Sequence, residues 1–132
     1  MRALDTNVLL RYLLKDDVAQ AESARRFIHQ HCGVKNPAFV NRIVICELVW
    51  VLESVYNFNK SMVVDILGRI LRTDQLNVED SEETLLALEL YQKHTVDFTD
   101  ILMGVVNRHK GYSSTATFDK KAAKLAEFEL LP

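Results

Sequence analysis

Four acidic residues stand where a carboxylate is either costly or conspicuous. Glu47 lies within Ile43-Val44-Ile45-Cys46-Glu47-Leu48-Val49-Trp50-Val51-Leu52, apolar on every side for three helical turns, which predicts a buried helix. An ionised carboxylate there costs several kcal/mol unless a cation or hydrogen bonds compensate. A salt bridge to Arg11, Arg42 or Arg69 and a place in a reactive site answer that need equally well. Asp5 closes the short strand-like run Arg2-Ala3-Leu4, and Asp119 follows Thr115-Ala116-Thr117-Phe118. Each reads as a carboxylate directly after a strand and at the start of a helix, the edge at which open α/β sheets bind ligands. Each also suits a plain helix cap. Asp97 and Asp100 stand three apart at a helix start, on neighbouring positions of one face. Asp97 suits a cap, while Asp100, beside an apolar run, points inward.

Were Asp5, Glu47, Asp100 and Asp119 to converge, they would need countercharge. Two like charges about 4 Å apart at an effective dielectric near 20 repel by about 4 kcal/mol. A divalent cation meets that need, and an all-carboxylate donor set favours hard Mg²⁺ or Mn²⁺ over zinc. Such an ion leaves coordination positions open for phosphate oxygens, so the chemistry expected is phosphodiester hydrolysis. Other chemistries lack support. His29 and His31 are two apart and do not share a helix face, which weakens a zinc reading and predicts a solvated helix end. There is no glycine-rich phosphate loop, and no Ser or Cys stands beside a plausible base.

The elements that must position these acids alternate along the chain. A strand at 2–4 leads through Asp5-Thr6-Asn7 into a helix from near Val8 to Leu14. A second helix runs from Asp16-Asp17 to Cys32-Gly33, and the two read as a helical hairpin. Pro37 to Val40 reads as a strand, Ile43 to Leu52 as the buried helix, and Met62 to Leu71 as an amphipathic helix capped by Asn59 or Ser61. Leu76-Asn77-Val78 alternates as a third strand. Asp80 and Glu83 stand at capping-box spacing before Leu85 to Tyr91, with Ser81 an equally good cap. Val96 to Asp100 opens a helix that ends at Asn107-Arg108-His109-Lys110 before Gly111. A strand at 115–118, a short helix from Lys120 to Ala126 and a strand at 128–131 complete the chain. Short strands alternating with helices predict parallel pairing through right-handed crossovers. The fold class is α/β, a three-layer α/β/α sandwich around a central, mainly parallel sheet, in a single domain over 1–132.

Composition narrows the class. At 132 residues, 48% hydrophobic and 26% charged, the chain has the profile of a soluble globular protein. Asp5 and Arg11 interrupt the N-terminal apolar run, which predicts no secretory signal. No apolar stretch is long enough for a bilayer. Cys32 and Cys46 form no metal or redox spacing and are expected as reduced thiols of a cytoplasmic protein. A formal net charge of -2 sits awkwardly with a nucleic-acid partner unless basic residues gather on a separate part of the surface.

The order Leu4-Asp5-Thr6-Asn7, Ile45-Cys46-Glu47-Leu48, Asp97-Phe98-Thr99-Asp100-Ile101-Leu102 and Thr117-Phe118-Asp119 resembles the PIN domain ribonucleases, most of all the VapC toxins of toxin–antitoxin modules. The resemblance implies a parallel sheet with the first strand central and four acids at one edge. It implies that Asp5, Glu47, Asp100 and Asp119 hold Mg²⁺ or Mn²⁺ for RNA cleavage, with Asp97 a fifth acid and Thr6, Asn7 and Thr117 supporting the site. It further implies a homodimer, neutralised by a VapB-type antitoxin that binds operator DNA; Leu10, Leu13 and Leu14 suit either the groove that receives the antitoxin or the core. Two other readings compete. A non-catalytic PIN-like interaction module would be expected to have lost some of the acids, and all four are present. A metal-dependent aspartyl phosphatase would place a second aspartate two residues after the first, where this chain has Asn7.

Overall fold

Asp5, Asp17, Asn41 and Asn59 each stand one residue before a helix, and each accepts with a side-chain oxygen from the backbone N–H three residues on. These local bonds satisfy amide groups that a helix start leaves without partners. In the computed structural model, which describes residues 1–132, they begin α1 (Thr6–Leu14), α2 (Val18–His31), α3 (Arg42–Ser54) and α4 (Lys60–Leu71). Between them lie β1 (Ala38–Val40) and β2 (Leu76–Val78). These elements form the first of two compact units, Met1–Ser81.

β1 and β2 pair in parallel, with Ala38 opposite Leu76 and Val40 opposite Val78. The expected first strand is reduced to a single parallel bridge, Ala3 with Phe39. The Phe39 N–H donates to the Arg2 carbonyl at 2.8 Å and the Leu4 N–H to the Phe39 carbonyl at 2.9 Å. The segment is short because Asp5 already caps α1, and the extended backbone must stop there. Leu9, Ile45, Leu48, Leu52, Val63, Leu67 and Ile70 are all fully inaccessible to solvent.

The second unit, Glu82–Pro132, holds all but the first residue of α5 (Ser81–Lys93), then α6 (Phe98–His109), β3 (Thr115–Thr117), a 3-10 turn (Ala122–Lys124) and β4 (Phe128–Leu130). β3 and β4 are also parallel, Thr115 opposite Phe128 and Thr117 opposite Leu130. The short helix expected from Lys120 to Ala126 is only this 3-10 turn, because the parallel crossover between β3 and β4 is too brief for a longer one. α6 ends as its sequence predicts: Gly111 has φ of +100°, its N–H bonds to the Arg108 carbonyl, and the Tyr112 N–H bonds to the Asn107 carbonyl. That is a Schellman cap with glycine in the left-handed position. Phe98 and Ile101 are buried, and Tyr91 packs edge-on against Phe98 at 5.7 Å between ring centroids.

Each unit is therefore α/β with parallel strand pairs, the class expected. No helix is long and apolar enough to cross a membrane. Cys32 and Cys46 form no disulfide. α2 does not end on a left-handed glycine: Cys32 is extended, and Gly33 instead bridges to Asn36. Leu10 is a core residue and not part of an exposed groove, while Leu13 and Leu14 are half-buried.

Candidate active site

In the first unit, Asp5 is exposed at the end of the N-terminal segment, and its Oδ1 accepts the Val8 N–H at 3.0 Å. That bond fixes the carboxylate's orientation. Asp5 and the exposed Asn7 line a cleft of about 400 Å³, which Arg11, Gln20 and Phe27 also border. Thr6, the first residue of α1, is buried, and its hydroxyl donates to Glu47 Oε1 at 2.5 Å. A hydroxyl held by the core thus fixes an acid 41 positions away.

Glu47 itself corrects an expectation. α3 is not buried all round: Val44, Ile45, Leu48, Val49 and Leu52 face the core, but Ile43 is 69% and Trp50 62% exposed. Glu47 lies between these two on the solvent side and is exposed. Its carboxylate needs no compensating cation, and none of the candidate arginines pairs with it. Arg11 bonds Asp16 at 3.2 Å and Gln20 at 2.7 Å, and Arg42 bonds Asp80 at 2.5 Å. The burial argument for Glu47 fails, while its tie to Thr6 stands.

In the second unit, Asp97 precedes α6 without using its side chain as a cap, although its carbonyl accepts the Ile101 N–H. Its carboxylate is exposed and uncommitted. Asp100, in the first turn, is half-buried. Partial burial, followed by the negative charges of Asp97 and Asp119, raises its pKa above the ordinary carboxylate range. Asp119 is exposed just beyond β3. Its Oδ1 accepts the Lys121 N–H at 2.8 Å and the Ala122 N–H at 3.5 Å, while its own N–H donates to Thr117 Oγ1 at 3.0 Å. Asp119 thus closes a turn ahead of the 3-10 segment, which has no side-chain cap of its own, and is one of three carboxylates within electrostatic reach of one another. No cation pairs with any of the three.

The structure therefore brings Asp5, Thr6, Asn7 and Glu47 together by segment and hydrogen bond in the first unit, and Asp97, Asp100, Thr117 and Asp119 in the second. Within neither unit do three His, Cys, Asp or Glu side chains close to metal-ligating distance. Their donor atoms are all carboxylate oxygens, the set suited to a hard divalent cation. His29 and His31 are exposed at the end of α2.

A network unanticipated from the sequence sits beside the first cleft. Tyr56 donates its hydroxyl to Asp16 Oδ2 at 2.7 Å and accepts from Arg11 Nη1 at 3.3 Å. The Tyr56 hydroxyl, followed by the Arg11 charge, holds the Asp16 carboxyl below its ordinary pKa. Arg11 was conspicuous only as a countercharge for Glu47; its helical spacing gave no sign of a partner 45 positions on.

The PIN domain family model matches residues 2–128. A VapC ribonuclease from Aquifex aeolicus (strain VF5) is 30% identical over 125 residues, covering 95% of this chain and 92% of the relative. No solved structure matches the chain significantly. With one family model running through both units and a VapC relative aligned over almost its entire length, the chain belongs to the PIN domain family, among its VapC-type members.

Proposed function

We propose that this protein is a divalent-metal-dependent endoribonuclease and the toxin of a toxin–antitoxin module, its two units working as one PIN domain. Asp5, Glu47, Asp100 and Asp119 serve as catalytic metal ligands for Mg²⁺ or Mn²⁺, with Asp97 as an auxiliary acid and Thr6, Asn7 and Thr117 as supports. The observation that carries this reading is the carboxylate group of the second unit. Asp97, Asp100 and Asp119 gather their carboxylates within electrostatic reach of one another and form no ion pair, and burial, followed by the charges of Asp97 and Asp119, raises the Asp100 pKa; an all-oxygen set of this kind suits a hard divalent cation. The relative named as a ribonuclease supports RNA as substrate.

When bound, such a cation supplies charge for the phosphate oxygens and a water acidic enough to attack phosphorus at neutral pH. The chain's part is to hold the ligands rigidly. Val8 N–H fixes Asp5, the Thr6 hydroxyl fixes Glu47, and the Lys121 and Ala122 amides fix Asp119, each leaving at least one carboxylate oxygen available. Thr117 acts indirectly, through the backbone N–H of Asp119. As a toxin of this type the protein works in the cytoplasm as a homodimer, inhibited by a VapB-type antitoxin that carries operator-DNA binding.

The test is cleavage of RNA by the purified chain with Mg²⁺ or Mn²⁺ and with EDTA. Asp5→Asn and Asp100→Asn are each expected to lower the rate by about 10³-fold with an unchanged circular dichroism spectrum. Cleavage that survives EDTA or either substitution would overturn the assignment, and hydrolysis of phosphate monoesters in place of RNA would favour the phosphatase reading. Expression alone should arrest growth, and co-expression with the antitoxin should relieve the arrest.

A further inference from the structure

A second cleft, of about 570 Å³, lies wholly in the second unit and is bordered by Thr95, Asp97, Phe118, Asp119, Lys120 and Lys121. It places two of the acids discussed above beside an aromatic ring and two ammonium groups. Phe118 is 75% exposed, although it sits between β3 and Asp119 on backbone held from both sides. A single exposed apolar side chain is ordinary; one presented on a fixed backbone at the rim of an acid-lined cleft is a platform. Lys120 and Lys121 are exposed, and neither forms an ion pair with the carboxylates of the cleft they border. With Lys124 they give a local basic run with no acid from position 120 to 126, in a chain of net charge -2.

We propose that Phe118 is a stacking platform for one unpaired base of the RNA, and that Lys120 and Lys121 hold the phosphates flanking it. The proposal rests on the endoribonuclease reading and specifies its substrate as RNA with an unstacked nucleotide beside the cleaved bond. An aromatic face accepts any base and gains only when that base is free of a duplex, whereas lysines supply sequence-independent attraction. The acidic cleft would otherwise repel the strand, so the cations belong next to the acids.

The experiment uses the full chain and a single-stranded oligoribonucleotide carrying 2-aminopurine, whose fluorescence reports stacking. Binding is measured in EDTA and steady-state cleavage with Mg²⁺. Phe118→Ala is expected to raise KM about tenfold, leave kcat within about twofold and abolish the stacking signal, while Phe118→Trp retains both. Lys120→Ala and Lys121→Ala should each flatten the salt dependence of binding by roughly one phosphate contact. A Phe118→Ala protein with wild-type KM overturns the proposal, and so does equal cleavage of duplex and single-stranded RNA. Failure here is separable from failure of the enzymatic reading. If the wild type cleaves RNA and Phe118→Ala is indistinguishable from it, only the platform falls; if the wild type neither binds nor cleaves RNA, both fall.

Discussion

Asp100 shows how the surroundings of a single carboxylate set its contribution to stability. Its pKa is raised in the folded chain, first by burial and then by Asp97 and Asp119. The folded state therefore binds a proton more tightly than the unfolded chain, and stability falls as pH rises from the unfolded value of about 4 through the raised folded value. The penalty is absent below both values and grows as pH rises through them. Asp100→Asn removes it, so the metal-free variant should melt above wild type at pH 7 and match it near pH 3. Thermal melts in EDTA across that range check the sign. A wild type that is the more stable of the two at pH 7 would mean that a partner compensates Asp100. Thr6 carries the complementary lesson: a residue of modest chemistry, buried at the start of α1, determines where the Glu47 carboxylate points.

Among the elements, α6 makes a close approach at Gly104. Gly104 lies where an added Cβ would come within 2.4 Å of the Phe128 ring and 3.1 Å of Glu127 Cβ. Only a side chain of hydrogen lets α6 pass that close to β4. Gly104→Ala is expected to cost about 1–3 kcal/mol, although alanine is the better helix former, and a denaturant titration measures it. The opposite sign would show that the ring moves aside freely. Because α6 also carries Asp100, the variant should lose activity in step with its folded fraction and no further. Where α5 joins this region, Glu83 does not close a capping box but accepts from His109 Nδ1 at 2.9 Å, and Arg108 pairs with Glu127. The Glu83 carboxylate is taken by a residue of α6 and not by the start of its own helix.

For the molecule as a whole, the proposed function predicts that cation binding and folding are linked. An ion that binds only the folded chain adds about 2.7 kcal/mol at a concentration one hundred times its Kd. Saturating Mn²⁺ should therefore raise the melting temperature of the wild type, and raise it much less for Asp100→Asn or Asp5→Asn. Calorimetric scans with and without the ion test this independently of any RNA. An equal rise in all three proteins would point to ions bound elsewhere on the surface.

The sequence by itself determined what short-range forces control. Asp5, Asp17, Asn41 and Asn59 cap their helices through bonds spanning three residues, and Gly111 stops α6 because the left-handed turn favours it. The order of elements and the parallel pairing followed from the same alternation, and the acids were legible because Asp5 and Asp119 sit at strand ends. Only the tertiary structure decided burial and partnership across long separations. Apolar residues on every side of α3 predicted a buried Glu47, but just one side of that helix meets the core, since helix periodicity says which residues share a face and not how many faces are covered. The bonds from Thr6 to Glu47 and from Tyr56 to Asp16, the field of Asp119 at Asp100, and the cleft beneath Phe118 all join residues that chain folding alone brings near. Such contacts arise from packing, which no local spacing encodes.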